Sequence, residues 1–209
     1  MEPLTGTLHI APADSGDAPE LAAVAALTFS LACPASTTEG NITAFVEANL
    51  SATRFAEYLS DPDRAIVTAR QDGRIVGYAM LVRGVSDHVG VQQAVQTRPA
   101  AELSKMYVLL DRHSTGAAAA LMERILAVAA DWGVRCVWLG VNQENQRAQR
   151  FYLKSGFTVN GTRTFQLGAD VESDYVMIRE LGQPPRSAPT AGKLPADTSF
   201  GIPRPASPR

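Results

Sequence analysis

Apolar and polar positions along the chain switch between two periods, and each switch marks an element. "TLHIAPA" (7–13) shows the short alternation of a first strand. Over 17–31, Leu21, Val24, Ala25, Leu27 and Phe29 recur at helical spacing, which predicts an amphipathic helix. Thr37 or Thr38 is placed to cap a second helix carrying Phe45, Val46 and Leu50. Ser51 is placed to cap a third, with Phe55, Tyr58 and Leu59 on one face. In "AIVTARQDGRIVGYAMLV" two β-branched runs flank Asp72-Gly73, a dipeptide that supplies the left-handed backbone of a tight hairpin. The stretch 83–99 is polar, glycine-bearing and without clear period, and reads as a flexible connection.

The second half repeats the alternation. A strand over 103–110 leads through a loop with a single glycine, Gly116, into a helix over 117–132. Leu121, Ile125, Val128 and Trp132 form its apolar stripe, while Glu123, Arg124 and Asp131 face away. Gly133 ends that helix and "CVWLGV" follows as a buried strand. "ENQRAQRFYLKSG" reads as a short helix closed by Gly156, and "GTRTFQL" with "DYVMIREL" as a final antiparallel pair. Strands alternating with helices in the middle and hairpins at both ends predict one mixed-sheet α/β domain, about 1–181. From 182 to 209 the chain holds seven of its thirteen prolines and few large apolar residues, which predicts a disordered tail.

Composition narrows the function classes. An apolar content of 45% and a charged content of 19% suit a globular protein, and a net charge of -2 gives no sign of a nucleic-acid partner. The apolar run 117–130 is interrupted by Glu123 and Arg124, so no membrane span is expected. The N-terminus lacks the basic and apolar regions of a signal peptide, and Cys33 and Cys136 form no spacing motif. Both point to the cytoplasm, with the two cysteines as small buried hydrophobes. His9, His88 and His113 stand too far apart for a metal site.

Two constellations carry chemistry. In "HSTGAA" (113–118), backbone N–H groups at a helix start are available to an anion, and small residues keep the first turn open. The same residues suit a plain alanine-rich helix capped by Ser114, and the window by itself leaves both readings open. Farther on, "WLGVNQENQRAQRFYLKSGF" sets Asn145 at a strand-to-helix connection, then Ala148, Phe151, Tyr152 and Gly156-Phe157. A phenol such as that of Tyr152 is able to protonate a leaving group; it serves as readily as a core aromatic.

The pattern WLGVNxxNxxAxxFYxKxGF after a loop-then-helix closely resembles the GNAT superfamily of acyl-CoA-dependent N-acetyltransferases, over about 102–181, and the N-terminal helices and hairpin are similar to the family's first half. "TF" on the first helix, "EL-K-YV", "WLGV" and "DYVM" resemble the bacterial subgroup that includes spermine/spermidine N-acetyltransferases. The resemblance implies a mixed, mostly antiparallel sheet of about seven strands, helices on both faces, and a splayed central strand pair that receives the pantetheine arm. It implies acetyl-CoA as co-substrate, and direct transfer to a primary amine without a covalent acyl-enzyme. Met106, Tyr107 and Val108 would pair with the pantetheine through their backbone, Asn145 would hydrogen-bond it, and Phe151 and Lys154 belong to the same matched block. The pyrophosphate loop would be His113, Ser114, Thr115, Gly116, Ala117 and Ala118, with His113 where the family has Arg or Gln and able to donate one hydrogen bond to phosphate. Tyr152 matches the general acid. Glu102 matches an acidic position able to take the amine's proton directly or through water, or is simply a strand-end carboxylate. Phe29 and Glu39 are the expected acceptor contacts, the acceptor being a polyamine or other small amine. A protein N-terminal or lysine acetyltransferase and a catalytically silent acyl-CoA-binding module are the alternatives, and a homodimer is left open.

Overall fold

Asp72 and Gly73 adopt φ of 50° and 77°, closing the hairpin between β2 (Arg64–Gln71) and β3 (Arg74–Arg83) as the Asp-Gly dipeptide requires. The computed structural model describes residues 6–34, 36–113, 115–167 and 170–182, with backbone only at 165–167 and 170. Ser114 and all of the expected tail beyond Gly182 lie outside the described residues. The other elements are β1 (His9–Pro12), α1 (Ala18–Phe29), α2 (Glu39–Asn49), α3 (Ala52–Ser60), α4 (Val89–Ala94), β4 (Ala100–Val108), α5 (Ala117–Asp131), β5 (Cys136–Asn142), α6 (Gln146–Lys154), β6 (Thr158–Leu167) and β7 (Asp170–Glu180). Thr38 and Ser51 cap α2 and α3 by accepting the N–H groups of Asn41 and Arg54.

One seven-stranded sheet runs β1-β2-β3-β4-β5-β7-β6, antiparallel except between β4 and β5. Strand alternation divides the side chains between two faces. Val67, Ala69, Ala79, Leu81, Val137, Leu139 and Met177 face α5, which buries Ala117, Leu121, Met122, Ile125 and Ala129 against them. Of the expected α5 stripe, Leu121 and Ile125 are fully buried, whereas Val128 and Trp132 are half-buried at its margin. Ile66, Ile75, Tyr78 and Met80 face α1 and α3, with Phe29, Leu50 and Phe55 completing that core.

The stretch 83–99 is not the flexible connection its composition suggests. It holds α4, capped where His88 Nδ1 accepts the Gly90 N–H at 3.1 Å. Val91, Ala94 and Val95 are buried against Ala100, Cys136, Trp138 and Val176. The indole N–H of Trp138 donates to the Gly84 carbonyl at 3.0 Å, tying the start of this segment to β5. A six-residue helix is too short to display a helical period, and its docking depends on β6 passing close by. Gly161 of β6 allows this, since a Cβ there would stand 2.7 Å from that of Ala94. Among the described residues no helix is long and apolar enough to cross a membrane, and no cluster of three His, Cys, Asp or Glu is placed to hold a metal ion.

This docking is testable by paired substitutions. A Cβ at Gly90 would sit 2.4 Å from the Thr162 carbonyl oxygen, so Gly90→Ala is expected to cost about 1–3 kcal/mol in urea unfolding. A Cβ at Gly40, inside α2, meets nothing within 4 Å, and Gly40→Ala should stabilise by up to about 1 kcal/mol. Equal effects at the two positions would contradict the docking of α4 on β6.

Candidate active site

The site begins where β4 and β5 part. They pair only at Ala100–Cys136, Ala101–Val137 and Glu102–Trp138. In β4 the partner of β3 jumps from Leu103 to Lys105, so Ser104 is an extra residue, a bulge. A bulge reverses the strand's alternation. Ala101 and Leu103 before it, and Met106 and Val108 after it, join the α5 core, while Lys105 and Tyr107 lie on the face that also carries Glu102. Beyond Glu102 the β5-facing edge of β4 has no strand partner, and a cavity of about 270 Å³ opens there. Its lining includes Met106, Tyr107, Val108, His113, Ala118, Asn145, Phe151 and Tyr152, so residues expected from three separate segments converge on one space.

At one end of this cavity stands the start of α5. Gly116 is its N-cap with φ 86°, in the left-handed region, and a Cβ there would meet nothing within 4 Å. The glycine therefore serves backbone conformation and open approach, not tight internal packing. The N–H groups of Ala117, Ala118 and Ala119 begin the helix without an intrahelical acceptor. Thr115 Oγ1 donates to the Arg112 carbonyl at 2.8 Å, bracing the loop. His113 is engaged on both ring nitrogens: Nε2 lies 2.9 Å from the Val108 carbonyl, and Nδ1 lies 2.7 Å from Arg147 Nη1. Its ring is thus committed within the protein, unlike the free phosphate donor expected from the sequence.

Helix α6 also lines the cavity, through Arg147, Ala148, Phe151 and Tyr152. Asn145 caps it, its Oδ1 accepting the Ala148 N–H at 3.0 Å, which leaves the side-chain NH₂ for an occupant of the cavity. Phe151 and Phe157 flank the Tyr152 ring edge-on, at centroid distances of 5.6 and 5.9 Å. Among the described residues the Tyr152 hydroxyl has no hydrogen-bond partner, and burial pushes its pKa up to about 12. The phenol therefore remains a proton donor at neutral pH. Lys154 ends α6 exposed and lines neither this cavity nor its neighbour.

A second cavity of about 260 Å³ adjoins the first, sharing Ala32, Ser104, Tyr107, Gly140 and Asn142. Phe29 lines it, stacked on Phe45 at 4.5 Å. Glu39 does not: it lies exposed in the first turn of α2, and the carboxylates lining the cavity are Glu102, Glu172 and Asp174. Arg163 lies among them, with Nε 3.1 Å from Asp174 and Nη1 3.8 Å from Glu102. Burial raises the pKa values of Glu102 and Asp174, an effect the Arg163 charge opposes. Burial also lowers the pKa of Lys105, in the same cavity, to about 8, with Glu102 opposing the shift. Cys33 also lines this cavity instead of being a buried hydrophobe; burial pushes its thiol up to about 11, and Sγ donates to the Phe29 carbonyl at 3.4 Å. A thiol held protonated is a poor nucleophile.

Arg163, Glu172 and Asp174 do not stand out in the sequence, because only the sheet order brings them together with Glu102 and Lys105, and Arg147 of α6 meets His113 only through the fold. One signal pointed there: Gly140 interrupts the apolar strand "WLGV", and a Cβ at that position would lie 2.3 Å from Arg163 Nη2.

With this geometry in place, comparison with known proteins is direct. The family profile described as Acetyltransferase (GNAT) family matches residues 32–157. An uncharacterized N-acetyltransferase of Mycobacterium tuberculosis (strain ATCC 25618 / H37Rv) is 64% identical over 165 residues, covering 79% of this chain and 98% of its own. The crystal structure of PaiA N-acetyltransferase from Thermoplasma acidophilum in complex with coenzyme A superposes with a TM-score of 0.67 at 18% identity, covering 84% of this chain and 99% of that one. The ribosomal-protein-S18-alanine N-acetyltransferase from Escherichia coli superposes with a TM-score of 0.60 at 16% identity, covering 87% and 99%. The two structural likenesses bear on the fold, which is the mixed seven-stranded sheet with helices on both faces expected from the sequence. The profile match and the mycobacterial relative bear on the family: this chain belongs to the GNAT family of N-acetyltransferases, whose acyl donor is acetyl-CoA.

Proposed function

We propose that the protein acetylates a small primary amine, with acetyl-CoA in the cavity between β4 and β5 and the amine in the neighbouring one. The single observation that carries this reading is that the two cavities share Ser104, Tyr107, Gly140 and Asn142, so their occupants would meet over the unpaired edge of β4. The first cavity suits the donor on two counts. The free edge of β4 can pair with an amide-bearing arm, and the open left-handed cap at Gly116 admits an anion to the amides of α5. Met106, Tyr107, Val108, Phe151 and the Asn145 side chain would hold the arm, and Thr115, Gly116, Ala117 and Ala118 the pyrophosphate.

Acetyl-CoA supplies an activated acyl carbon and a thiolate leaving group. Tyr152 donates its hydroxyl hydrogen toward the departing sulfur. A free thiol of pKa about 8.5 is more acidic than this phenol, so the tyrosine steadies the thiolate chiefly as a hydrogen-bond donor. Glu102, with its carboxyl pKa raised, is a better proton acceptor than an ordinary carboxylate, and it takes the amine's proton directly or through a water. No step uses Cys33.

The acceptor is a cation near neutral pH, and Glu102, Glu172 and Asp174 favour it electrostatically. Lys105 and Arg163 line the same cavity and offset two of the three carboxylates, so the lining holds one carboxylate in excess, a match for one ammonium and not for the second charge of a polyamine. A monoamine whose apolar part lies against Phe29 and Phe45 therefore suits the cavity better than the polyamine suggested by the subgroup resemblance.

Thiol release from acetyl-CoA over a panel of monoamines, polyamines and peptide N-termini tests the reading. Turnover is expected on a small monoamine; activity confined to polyamines or peptides would overturn the acceptor assignment. Tyr152→Phe should lower kcat by about 10²–10³-fold, the loss of one hydrogen-bond donor to developing charge, with little change in the KM for acetyl-CoA, and unchanged turnover would remove Tyr152 from the chemistry. The acid limb of kcat/KM for the amine should follow the raised Glu102 carboxyl, activity appearing as pH climbs through it. Glu102→Gln should remove most of the rate at every pH, leaving no base to titrate. Gly116→Val strains a left-handed position at a cost of about 1–3 kcal/mol and should raise the KM for acetyl-CoA; an unaltered KM would count against the pyrophosphate assignment.

A further inference from the structure

The cavity between β4 and β5 is lined by one charged side chain among the described residues, Arg147 of α6. Its guanidinium is exposed, has no carboxylate partner among the described residues, and is held by His113 Nδ1 at 2.7 Å. An arginine can only donate, so Nδ1 must be the acceptor and the imidazole proton must sit on Nε2, where the Val108 carbonyl accepts it at 2.9 Å. Val108, His113 and Arg147 thus form a relay from the end of β4, across the loop before α5, to the first turn of α6. The other basic group of that loop, Arg112, pairs with Asp111 at 3.4 Å. We infer that Arg147 is the cation that binds the pyrophosphate of CoA, and that His113 is a positioning residue that orients Arg147 without contacting the ligand.

The inference rests on the CoA assignment of this cavity and sharpens it. The amides of Ala117, Ala118 and Ala119 offer hydrogen bonds and a partial positive charge, but a diphosphate diester carries two formal charges. His113 in its neutral tautomer supplies no formal charge. The Arg147 guanidinium, held at 2.7 Å by His113 in the loop that leads into α5, supplies one, along with paired donors suited to phosphate oxygens.

Calorimetry of CoA binding to the full chain tests this without depending on turnover. Arg147→Ala is expected to weaken CoA by about 10-fold, typical of a charge-assisted hydrogen bond, and to flatten the dependence of Kd on salt. Dephospho-CoA, which keeps the pyrophosphate and lacks the 3′-phosphate, should show the same ratio between wild type and variant. A ratio near one with dephospho-CoA would move Arg147 to the 3′-phosphate and overturn the assignment. His113→Ala should lose a smaller factor, and His113→Gln should restore it, since its carbonyl can accept from Arg147 while its amide donates to Val108. The double variant Arg147→Ala/His113→Ala should bind no more weakly than Arg147→Ala alone. Additive losses, or failure of glutamine to rescue, would reduce His113 to a structural loop residue and overturn its positioning role. If wild type binds CoA and Arg147→Ala binds equally well, only this inference fails. If wild type does not bind CoA, the donor-cavity reading itself fails.

Discussion

Everything at this site depends on three residue pairs being the full extent of hydrogen bonding between β4 and β5. A parallel pair in the middle of a sheet would ordinarily continue, because unpaired backbone groups away from water are costly. Here the strands are held together at one end and forced apart at the other. Trp138 and Cys136 anchor the paired end under α4, while the Ser104 bulge and Gly140 occupy the diverging stretch. The α5 core and the α1–α3 core grip β4 from its two faces, so the strand cannot close the gap by twisting. The open edge is then a standing set of hydrogen-bonding groups that a ligand rich in amides is suited to satisfy.

The same bulge explains why Glu102, Lys105 and Tyr107 share a cavity. In a regular strand Glu102 and Lys105, three apart, would point to opposite faces. Reading the strand as a plain alternation would put one of them in the α5 core, where a charge has no place. The sequence carries a trace of this conflict, for "ELSKMYV" does not alternate cleanly, yet the location of the extra residue is set by pairing with Met80 and Leu81. Local chemistry made other features easy to read. Asp72-Gly73, Thr38, Ser51, Gly133 and Gly156 each act within a few residues, and each sits where the local pattern puts it. Helix α4 acts through β6, more than sixty residues on, and its composition looks like a loop because only three of its neighbourhood's apolar residues are buried.

Legibility of the site divides along the same line. The Asn145–Phe157 block is contiguous, so its cap, its aromatic pair and its closing glycine could be read as one unit. The acceptor cavity is assembled from α1, α2, β4, β5, β6 and β7, and its charges cross the sheet order. Arg163 reaches Asp174 because β6 pairs with β7 at those two positions, and it reaches Glu102 across Gly140. A scan for acids near the first helices finds Glu39, which is close in sequence to Phe29 but exposed and not among the cavity's lining residues. His113 shows the converse case. Its position in the loop was legible, but its partner lies on α6, and that partner determines what the ring can do.

The two cavities carry opposite electrostatic character, and this bears on how two substrates can share a floor. The one assigned to the donor has a single formal positive charge, Arg147, and no carboxylate among its lining residues. The one assigned to the acceptor has three carboxylates against two basic groups, and Arg163 is already shared between Glu102 and Asp174. A polyanionic donor entering the acceptor side would meet Glu172 and a shielded arginine, and a cationic amine entering the donor side would meet Arg147. On the proposed assignment, charge would favour each partner in its own chamber before any close contact forms. Where the chambers join, at Ser104, Tyr107, Gly140 and Asn142, no lining residue carries a formal charge. An uncharged junction suits the proposed reaction, since an amine would have to arrive there without its proton, and the carboxylate proposed to remove that proton, Glu102, lines the acceptor chamber and not the junction.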